Sequence, residues 1–561
     1  MSKTRTQITF GLVDVTAKSD SQLSVSDKQD FVNLNDLKEE KLEEILYGTL
    51  EKNQFALDGS RKLMPEELSG MGWWSNEMSD ENGNFITPLV MEMDFTSVHS
   101  SLGLTFVFSK ADDYCNKLNI KYYDTNGDMI SNVNFFPNSY KFVCNNIVEN
   151  YAKIVITFYS TNNPYRYIKL YQILYGAEKI FEGENLMSGS LIEEVDLLSS
   201  EVTINTLDFT VYSEDDDFNI INPKGIFKLL QEKQKLKVTE FIKDEEIDMG
   251  TLYLSEWKNK EYKTMQFKAQ DLIGVIDSTD FNGGMYTNVL FGNLIGEIMQ
   301  SAGVGEDNYE IEECLKNIKI TGYIPICSHR AALQKAIFTV GAIADCSRSD
   351  KIRIYTIPNE LKSTIYMENK SDSSQEVLQN ELVTGVEVTS HNYVEGTKLE
   401  ELVKQELDVG NNKIIFNDPV HNISCTGGTI IEYNCNYAII NCSTATEVTI
   451  NGYKYVDNQI IYKAEKELSS GEKENILKVK NVCLINKSIA TSIANRILNY
   501  YQGTYKISLE NILTSSEKVG NYTGLESTYE QKLAGNIIKQ DIDLTGGFIS
   551  KTEMIAEVVS E

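Results

Sequence analysis

Turn-forming residues interrupt this sequence at short intervals, and that spacing constrains the fold more than any other feature. In the first third of the chain, turns at 81–84, 124–128 and 162–164 separate stretches of mainly apolar residues. Asn and Gly tolerate the positive φ angles of tight hairpins, so Asn-Gly between alternating residues indicates antiparallel strands. The sequence therefore predicts short strands joined by turns, an arrangement typical of a β-sandwich.

Apolar periodicity divides the chain into three regions. In the first 180 residues, strands are predicted at 6–13, 89–95, 102–108, 118–123 and 152–159, and the segment 37–46 is charged and more helical. The next region has predicted strands at 191–195, 203–211, 235–242, 249–257, 262–269 and 351–357 and predicted helices at 285–303 and 331–344. A polar stretch at 368–376 follows. Strands are then predicted at 381–390 and in a β-rich section that continues to about 482. A helix is predicted at 488–501, and further strands at 505–559.

Length and charge limit the class of protein. A chain of 561 residues is expected to form several domains. Its 82 acidic and 52 basic residues give a net charge of −30, which argues against a broad basic surface for nucleic acid or an anionic membrane. The N-terminus lacks an apolar signal core, and no run reaches the roughly 18 apolar residues of a membrane span. We expect neither a membrane segment nor sequence-specific nucleic-acid binding.

Cysteine and acidic residues are spaced unlike the ligands of known metal sites. The nine cysteines include no CxxC pair, which indicates reduced thiols in a protein made in the cytosol. The three cysteines nearest His421 lack the short spacings of zinc ligands; they are Cys425, Cys435 and Cys442. The acidic run 214–217 lacks the spaced ligands and the glycine of a calcium loop. The sequence predicts no metal and no cofactor.

No motif of a known catalytic type is present. The patterns HExxH, GxSxG, the P-loop and GxGxxG are all missing,. Cys327, Ser328 and His329 could suggest a nucleophile beside a base. Adjacent side chains at the start of a helix do not face each other, however, and Ser328 is better explained as a helix N-cap. We therefore predict no catalytic residues and no enzymatic activity.

Two aromatic pairs stand out in the first region. Trp73 and Trp74 are adjacent, and Tyr165 and Tyr167 flank Arg166. Aromatic rings stack on sugars, so a carbohydrate site is conceivable at either pair. Tryptophan also buries a large apolar area in sandwich cores, and we favour that interpretation for Trp73 and Trp74. Which residues would bind carbohydrate is left open.

Several motifs of the first region resemble a known module. They are 72–75 (GWWS), 85–88 (FITP), 122–127 (YYDTNG) and 164–167 (PYRY). Together they resemble the galactose-binding-like β-sandwich modules in tail proteins of phages of low-GC Gram-positive bacteria. The resemblance covers about 30–176 and implies a jelly-roll-like sandwich over 1–180.

The middle region and the C-terminus resemble the hub proteins of phage tails and phage-tail-like particles. The motifs that carry this resemblance are 267–274 (FKAQDLIG), 328–336 (SHRAALQKA), 347–354 (SRSDKIRI), 535–538 (GNII) and 543–548 (DLTGGF). It implies a mainly β fold with α+β parts, in which two hub-type β-barrels enclose a helical α/β unit and a β-rich insert. The implied boundaries are 181–280 for the first barrel, 281–375 for the α/β domain, 376–400 and 500–561 for the second barrel, and 401–499 for the insert plus helix.

The resemblance implies a structural role. A hub forms a ring, expected here to be a trimer, that links the tail tube to the spike and to surrounding baseplate proteins. Such a protein is made and assembled in the host cytoplasm and resides at the tip of a virion or tail-like particle. Two alternatives stay open. One is a carbohydrate-binding tail adhesin that recognises a host cell-wall glycan through the sandwich, and the weaker one is a tail enzyme that cuts peptidoglycan.

Overall fold

The computed structural model describes residues 4–13, 15–38, 47–56, 58–62, 71–109, 113–212, 221, 230, 232–243, 245–261, 263–371, 375–468, 471, 473–528 and 531–559. The chain is mainly β, with 55% strand and 13% helix, which confirms the predicted class. No helix in the described part of the chain is long and apolar enough to cross a membrane.

Most strands of the N-terminal region form one sheet. The elements are β1 (Thr4–Val13), α1 (Val15–Asp20), β2 (Gln22–Val25), β3 (Trp73–Trp74), β4 (Asn84–Phe108), β5 (Cys115–Tyr123), β6 (Met129–Phe135), β7 (Lys141–Thr161), β8 (Lys169–Leu174) and β9 (Gly176–Glu182). Seven strands pair in the order β3-β8-β4-β7-β5-β6, with β2 on β4. They surround one apolar core. Of the predicted helical segment 37–46, residues 39–46 lie outside the described residues.

A bend lies in the middle of the long strand β4. The strands predicted at 89–95 and 102–108 are two parts of β4, and its register against β7 shifts three times between Asp94 and Gly103. Such bulges bend a strand. Gly103 has a φ of 138°, and a Cβ there would lie 1.9 Å from the carbonyl oxygen of Cys144. Only glycine fits this close approach, so the bend depends on Gly103.

Strands and helices alternate in the next part of the chain. The elements are β10 (Leu186–Glu194), β11 (Thr206–Tyr212), β12 (Lys235–Ile242), β13 (Glu245–Glu261), β14 (Thr264–Gln270), α2 (Leu272–Asp277), β15 (Asp280–Phe281), β16 (Gly284–Leu290), α3 (Phe291–Ser301), β17 (Tyr309–Ile311), α4 (Glu313–Lys316), β18 (Lys319–Ile324), β19 (Cys327–Ser328), α5 (His329–Val340), β20 (Ala342–Asp345), β21 (Ile352–Thr356) and β22 (Leu361–Ile365). The apolar faces of α3 and α5 meet in the largest core.

Both helices predicted in this region form, but with different bounds. The helix predicted at 285–303 begins only at Phe291, because the preceding residues form β16 and pair with β18. The helix predicted at 331–344 ends at Val340. Gly341 follows with a φ of 75° and caps the helix in the left-handed conformation,. The apolar residues after Gly341 continue as β20.

The C-terminal part contains the insert, one helix and the last strands. The elements are β23 (Glu376–Gln379), β24 (Gly385–Ser390), β25 (Tyr393–Leu407), β26 (Gly410–Ile415), β27 (Val420–Thr426), β28 (Thr429–Tyr433), β29 (Tyr437–Cys442), β30 (Thr446–Asp457), β31 (Ile460–Glu465), β32 (Ile476–Val479), α6 (Ala490–Tyr500), β33 (Tyr505–Ile512), β34 (Tyr522–Glu526), β35 (Lys532–Asp543) and β36 (Ile549–Val558). Strands β25 to β30 form two three-stranded sheets around a core of their own.

A thirteen-stranded sheet runs through the middle of the molecule. Its order is β23-β33-β36-β35-β10-β11-β14-β13-β12-β1-β9, with β34 on β35 and β22 on β34. We call β10, β11, β14, β13, β12, β1 and β9 the first half, and the remaining six strands the second half. In the first half, Phe181 of β9 contacts Phe209 of β11 at 6.2 Å between ring centroids. Strands that are far apart in the order therefore wrap round one core.

Three strands pair outside the segments to which the predicted domain boundaries assign them. Strand β1, assigned to the sandwich, pairs with β12 and β9 in the first half. Strand β22, assigned to the α/β domain, pairs with β34 in the second half. Strand β24, assigned to the second barrel, pairs with β31 and β32 instead, and α6 packs there in the same core as α3 and α5. Alternation identifies a strand but not its partner, which tertiary docking decides.

Candidate functional site

The junction of the two halves of the sheet is the most elaborate polar site in the described residues. There β10 pairs antiparallel with β35, and Glu193 lies opposite Gln540. Arg348, in the turn between β20 and β21, reaches both residues. Its Nε donates to Glu193 Oε2 at 3.2 Å, and its Nη2 donates to Gln540 Oε1 at 3.0 Å. The side chains of Arg348 and Glu193 are only 5% and 1% exposed, so the ion pair is almost fully withdrawn from water.

The turn that carries Arg348 is fixed by its backbone. Arg348 has a φ of 47°, in the left-handed region. A Cβ at Gly250 would lie 3.0 Å from Ser349 N and 3.4 Å from the Cα of Arg348, so β13 approaches the turn closely. Ser347 N donates to Asp345 Oδ1 at 2.7 Å within the same turn. The guanidinium is thereby aimed at the sheet.

Three more charged groups surround this pair. Arg353 donates to Asp345 and to the carbonyl oxygen of Ser347. Lys518 lies near Asp345 and Glu193, but burial lowers its pKa to about 8. We call Glu193, Asp345, Arg348, Arg353, Lys518 and Gln540 the seam. Burial also raises the pKa of Glu193, and this effect outweighs the nearby positive charge of Arg348, which lowers it.

Two further buried carboxyls lie near the seam. Asp271 accepts from Gly274 N at the start of α2 and from Asn205 N, each at 3.0 Å, and burial raises its pKa to about 7. Glu517 accepts from Asn511 Nδ2 at 2.8 Å, and burial raises its pKa to about 7 as well. Asp271 therefore links the residue before β11 to the start of α2, and Glu517 is held by a residue of β33.

A third buried carboxyl joins both ends of the described chain to the first half of the sheet. Glu240 of β12 lies opposite Thr6 of β1. Thr6 Oγ1 contacts both the Glu240 carboxyl and the carbonyl oxygen of Leu544. Burial raises the pKa of Glu240 to about 7. We call these three residues the clasp.

The two adjacent tryptophans belong to the core of the N-terminal sheet. Trp73 is 0% and Trp74 4% exposed. Trp73 Nε1 donates to the carbonyl oxygen of Asp27 at 2.8 Å, and its ring lies 5.0 Å from that of Phe158. Neither ring has a face open to a sugar. The predicted core role of both tryptophans is confirmed, and stacking of a glycan on them is ruled out by their burial.

The loops beside Trp74 form a second polar cluster. Lys169 pairs with Glu51, and Arg166 Nε donates to Asp113 Oδ1 at 2.8 Å. These charges lie below the surface, while the Tyr165 side chain is 42% exposed. Gln54 Oε1 and Trp74 Nε1 are buried and have no hydrogen-bond partner in the described part of the chain. We call these loops, 47–56, 71–80, 113 and 162–169, the loop end of the N-terminal sheet.

The residues that could suggest a nucleophile serve as helix caps and packing contacts. Ser328 Oγ accepts from Ala331 N at 3.2 Å, which confirms the predicted N-cap of α5. His329 is buried, with its two ring nitrogens on Thr279 and on Ser301 Oγ at 3.0 Å. Burial raises the pKa of Cys327, which disfavours its thiolate,. The three side chains do not form a catalytic arrangement.

The residues considered for metal binding lie on or between different strands of the insert. Cys425 lies on β27 opposite Ile450, whereas Cys442 lies on β29 opposite Gly410. The ring of His421 stacks on Tyr453 at 5.5 Å. Within the described ranges, no three His, Cys, Asp or Glu residues are arranged to hold a metal ion. The acidic run 214–217 lies outside those ranges.

Sequence reasoning missed the seam and the clasp. Glu193 belongs to an acidic pair that carries no information by itself, yet it falls on the inward face of β10, in phase with the buried Leu191. Glu240 is likewise in phase with the buried Val238. In both strands, a carboxyl at a position where the alternating pattern places a buried apolar residue was the signal that could have predicted a buried polar site. Nothing in the sequence signals the partners Gln540 and Leu544, which are hundreds of residues away.

Comparisons with known proteins give weak likenesses only. No protein-family model matches the chain, and no curated protein matches its sequence. A tail protein from Neisseria meningitidis MC58 aligns at 9% identity and a TM-score of 0.40, over 67% of this chain and 93% of its own. A 43 kDa tail protein of prophage MuSo2 from Shewanella oneidensis aligns at 10% identity and a TM-score of 0.38, over 68% of this chain and 95% of the prophage protein. A prophage tail protein from Listeria monocytogenes EGD-e aligns at 8% identity and a TM-score of 0.37, over 67% of this chain and 91% of the Listeria protein. Scores this low do not establish a shared fold or role.

Proposed function

We propose that this protein is a structural component of a phage tail or tail-like particle and serves as the hub at the tail tip. The observation that supports this most is the thirteen-stranded sheet, whose two halves are joined between β10 and β35. Two joined barrels, with a helical unit and an insert on the connections between them, are what the sequence resemblance implies for a hub. In this role the chain links the tail tube to the spike and to other baseplate proteins.

The proposed hub is a ring of identical chains, expected to be a trimer. Among the described residues, β9 and β23 each pair with a single neighbour at the two ends of the sheet. Edge strands offer free backbone N–H and C=O groups to another chain. Ile180 on β9 and Leu378 on β23 are also exposed, and apolar side chains suit the centre of an obligate interface. We therefore place the subunit contacts at these two edges.

Light scattering after size-exclusion chromatography tests the ring. The wild-type chain should have three times the mass of one chain. Leu378→Lys should lower this mass, because it puts a charge on the proposed edge contact. Val456→Lys is the matched control, since Val456 is similarly exposed but lies on the insert. A wild-type monomer at every concentration, together with absence of the protein from purified particles, would overturn the proposal.

The second candidate is a tail adhesin that binds host cell-wall glycan at the loop end of the N-terminal sheet. One observation favours it: the exposed Tyr165 lies on the same loops as two buried polar atoms without partners, Gln54 Oε1 and Trp74 Nε1. Sugar hydroxyls both donate and accept hydrogen bonds, and an aromatic ring can stack on a sugar face. In this version of the adhesin the sugar does not stack on the faces of the buried tryptophan rings.

Sedimentation with purified cell walls distinguishes the two candidates. If the chain is an adhesin, it should co-sediment, and Tyr165→Ala should abolish this binding. Tyr366→Ala is the control, because Tyr366 is exposed and lies far from the sandwich in the sequence. Equal binding by both variants, or no binding by wild type, would remove the adhesin. Release of soluble peptidoglycan fragments by the wild-type chain would instead revive the enzyme hypothesis.

A further inference from the structure

A histidine stands where the insert joins the rest of the chain. The insert, β25 to β30, lies between β24 and β31, which pair with each other and pack in the largest core. His391 and Asn392 lead from β24 into the insert, and Asp457 and Asn458 lead back to β31. Asn392 N donates to Asp457 Oδ1 at 3.1 Å, and Asn458 N donates to the carbonyl oxygen of Asn392 at 3.0 Å. We call these four residues the neck.

The His391 ring connects the insert to the largest core. Its Nδ1 lies 2.7 Å from Asp457 Oδ2, at the end of β30 in the insert. Its Nε2 lies 3.2 Å from the carbonyl oxygen of Lys480, which follows β32, a neighbour of β24. The side chain of His391 is only 3% exposed, so bulk water does not compete for these contacts.

Both partners of the ring can only accept hydrogen bonds. A carbonyl oxygen has no hydrogen to donate, and neither has an ionised carboxylate. Burial disfavours the ionised form of Asp457, but hydrogen bonds from Gln459 and His391 outweigh burial and lower the pKa of Asp457. Asp457 is therefore ionised at neutral pH. To make both bonds, each ring nitrogen of His391 must carry a hydrogen, and only the imidazolium form has both.

The other titratable groups described around the ring keep their protons near neutral pH. Tyr393 of β25 stacks on His391 at 6.1 Å between ring centroids, and Tyr323 of β18 contacts Tyr393 at 5.3 Å. Cys483, after β32, hydrogen-bonds with Tyr393. Burial raises the pKa of both tyrosines and of Cys483. Lys335 of α5 adds a positive charge near Cys483. Histidine is the side chain that ordinarily changes charge between about pH 5 and 8.

We propose that the neck is a pH-sensitive joint, in which the imidazolium of His391 fastens Asp457 of the insert to the Lys480 carbonyl of the largest core. When the ring loses one proton, the Nδ1 hydrogen can stay on Asp457. Nε2 then turns a lone pair towards the Lys480 oxygen, so a hydrogen bond becomes a repulsion between two acceptors. The attachment is therefore stronger at low pH and weakens as the pH rises.

A second set of contacts keeps the insert in place when the neck weakens. Asn436 Nδ2 donates to the carbonyl oxygens of Asn282 at 2.8 Å and of Ile324 at 3.0 Å. Tyr323 OH donates to Asn436 Oδ1 at 2.6 Å. These groups are neutral and do not titrate near neutral pH. Loss of the proton therefore makes local opening of the neck more frequent without detaching the insert.

Hydrogen exchange of the full chain between about pH 5 and 8 tests the joint. The His391 amide reports on the neck, because it donates to the carbonyl oxygen of Ile485 at 2.7 Å. After correction for the intrinsic exchange rate, its protection should fall by about tenfold as the pH rises, as expected for one lost hydrogen bond. The Val420 amide donates to the carbonyl oxygen of Cys435 at 2.9 Å within the insert and should keep its protection. Constant protection at His391, or an equal fall at Val420, would overturn the proposal.

Substitutions identify the group that titrates. His391→Gln cannot take up a proton, so the pH dependence of the amide at position 391 should disappear. His421→Gln is the matched control, because His421 is a buried histidine of the insert that stacks on Tyr453, and it should keep the wild-type pH dependence. Asp457→Asn removes the charge that favours the imidazolium, so the fall should move to lower pH. It provides the test if His391→Gln does not fold. An unchanged fall in His391→Gln or in Asp457→Asn would assign the effect to another group and overturn the proposal.

Discussion

We expect Glu240→Gln to make the chain more stable at about pH 8 and to change its stability little at about pH 5. In the clasp, Thr6 Oγ1 contacts two oxygens, one of Glu240 and one of Leu544. A hydroxyl has one hydrogen, so it can donate to only one of them. Both contacts are hydrogen bonds if Thr6 donates to Leu544 and a protonated Glu240 donates to Thr6. The side-chain amide that the substitution introduces can donate in the same way but cannot ionise.

The magnitude follows from the raised pKa of Glu240. The difference between about 7 and the ordinary 4.5 corresponds to about 3 kcal/mol, at about 1.4 kcal/mol per pH unit. The folded chain holds this proton more tightly than the unfolded chain does. The stabilisation is therefore complete below about pH 4.5 and is lost as the pH rises through about 7. Wild type should lose up to about 3 kcal/mol across this window on account of Glu240, and the variant should not.

Hydrogen exchange of the β12 amides measures the effect, because protection factors give the free energy of local opening. The two proteins should diverge progressively between about pH 5 and pH 8. Glu245→Gln is the matched control, since Glu245 is exposed on the neighbouring strand and should leave the pH dependence unchanged. If Glu240→Gln and wild type respond to pH identically, Glu240 is not the proton donor and the account of the clasp is wrong.

Three other substitutions test separate parts of the structure. Trp73→Ala should lower the free energy of unfolding by about 3–5 kcal/mol, because it leaves a cavity in the core. Urea unfolding of the N-terminal sheet should then have a lower midpoint. A loss as small as that caused by Tyr165→Ala, at an exposed residue, would contradict the core role of Trp73. Ser328→Ala should lower the stability of α5 by about 1 kcal/mol, measured by exchange of its first-turn amides, and Ser328→Thr should restore it. Gly103→Ala should prevent the bend in β4, seen as loss of the folded N-terminal sheet in near-ultraviolet circular dichroism. Normal folding of this variant would show that the backbone there can move.

Local patterns predicted element types well where one period dominates. The strand predicted at 235–242 has the bounds of β12, and the helix predicted at 488–501 closely matches α6. In both, apolar residues recur with one period over most of the element. The pattern failed at 285–303, where Val289 and Leu290 suit either a helix or a strand. Pairing with β18 decides in favour of a strand there, and such pairing is not visible in a local window.

Partners across long distances could not be predicted at all. Assignment of β1 to the sandwich followed from its position in the sequence, yet its partners are β9 and β12. The polar sites depend on the same long-range pairing. Arg348 was part of a motif that resembles hub proteins, but its contacts with Glu193 and Gln540 exist only because β10 and β35 become neighbours. Such contacts follow from topology, which a single sequence does not encode in any local feature.

The clasp also determines how late in synthesis the sheet can close. Thr6 and Leu544 are 538 residues apart, so at about 5–20 residues per second roughly half a minute to two minutes separates their synthesis. During that interval β10 has no β35 beside it, and the inner edge of the first half stays open to other strands. A translation product that stops before Leu544 can never close the joint. The sheet is therefore the last part of the chain to mature, because its closure has to wait for the final strands.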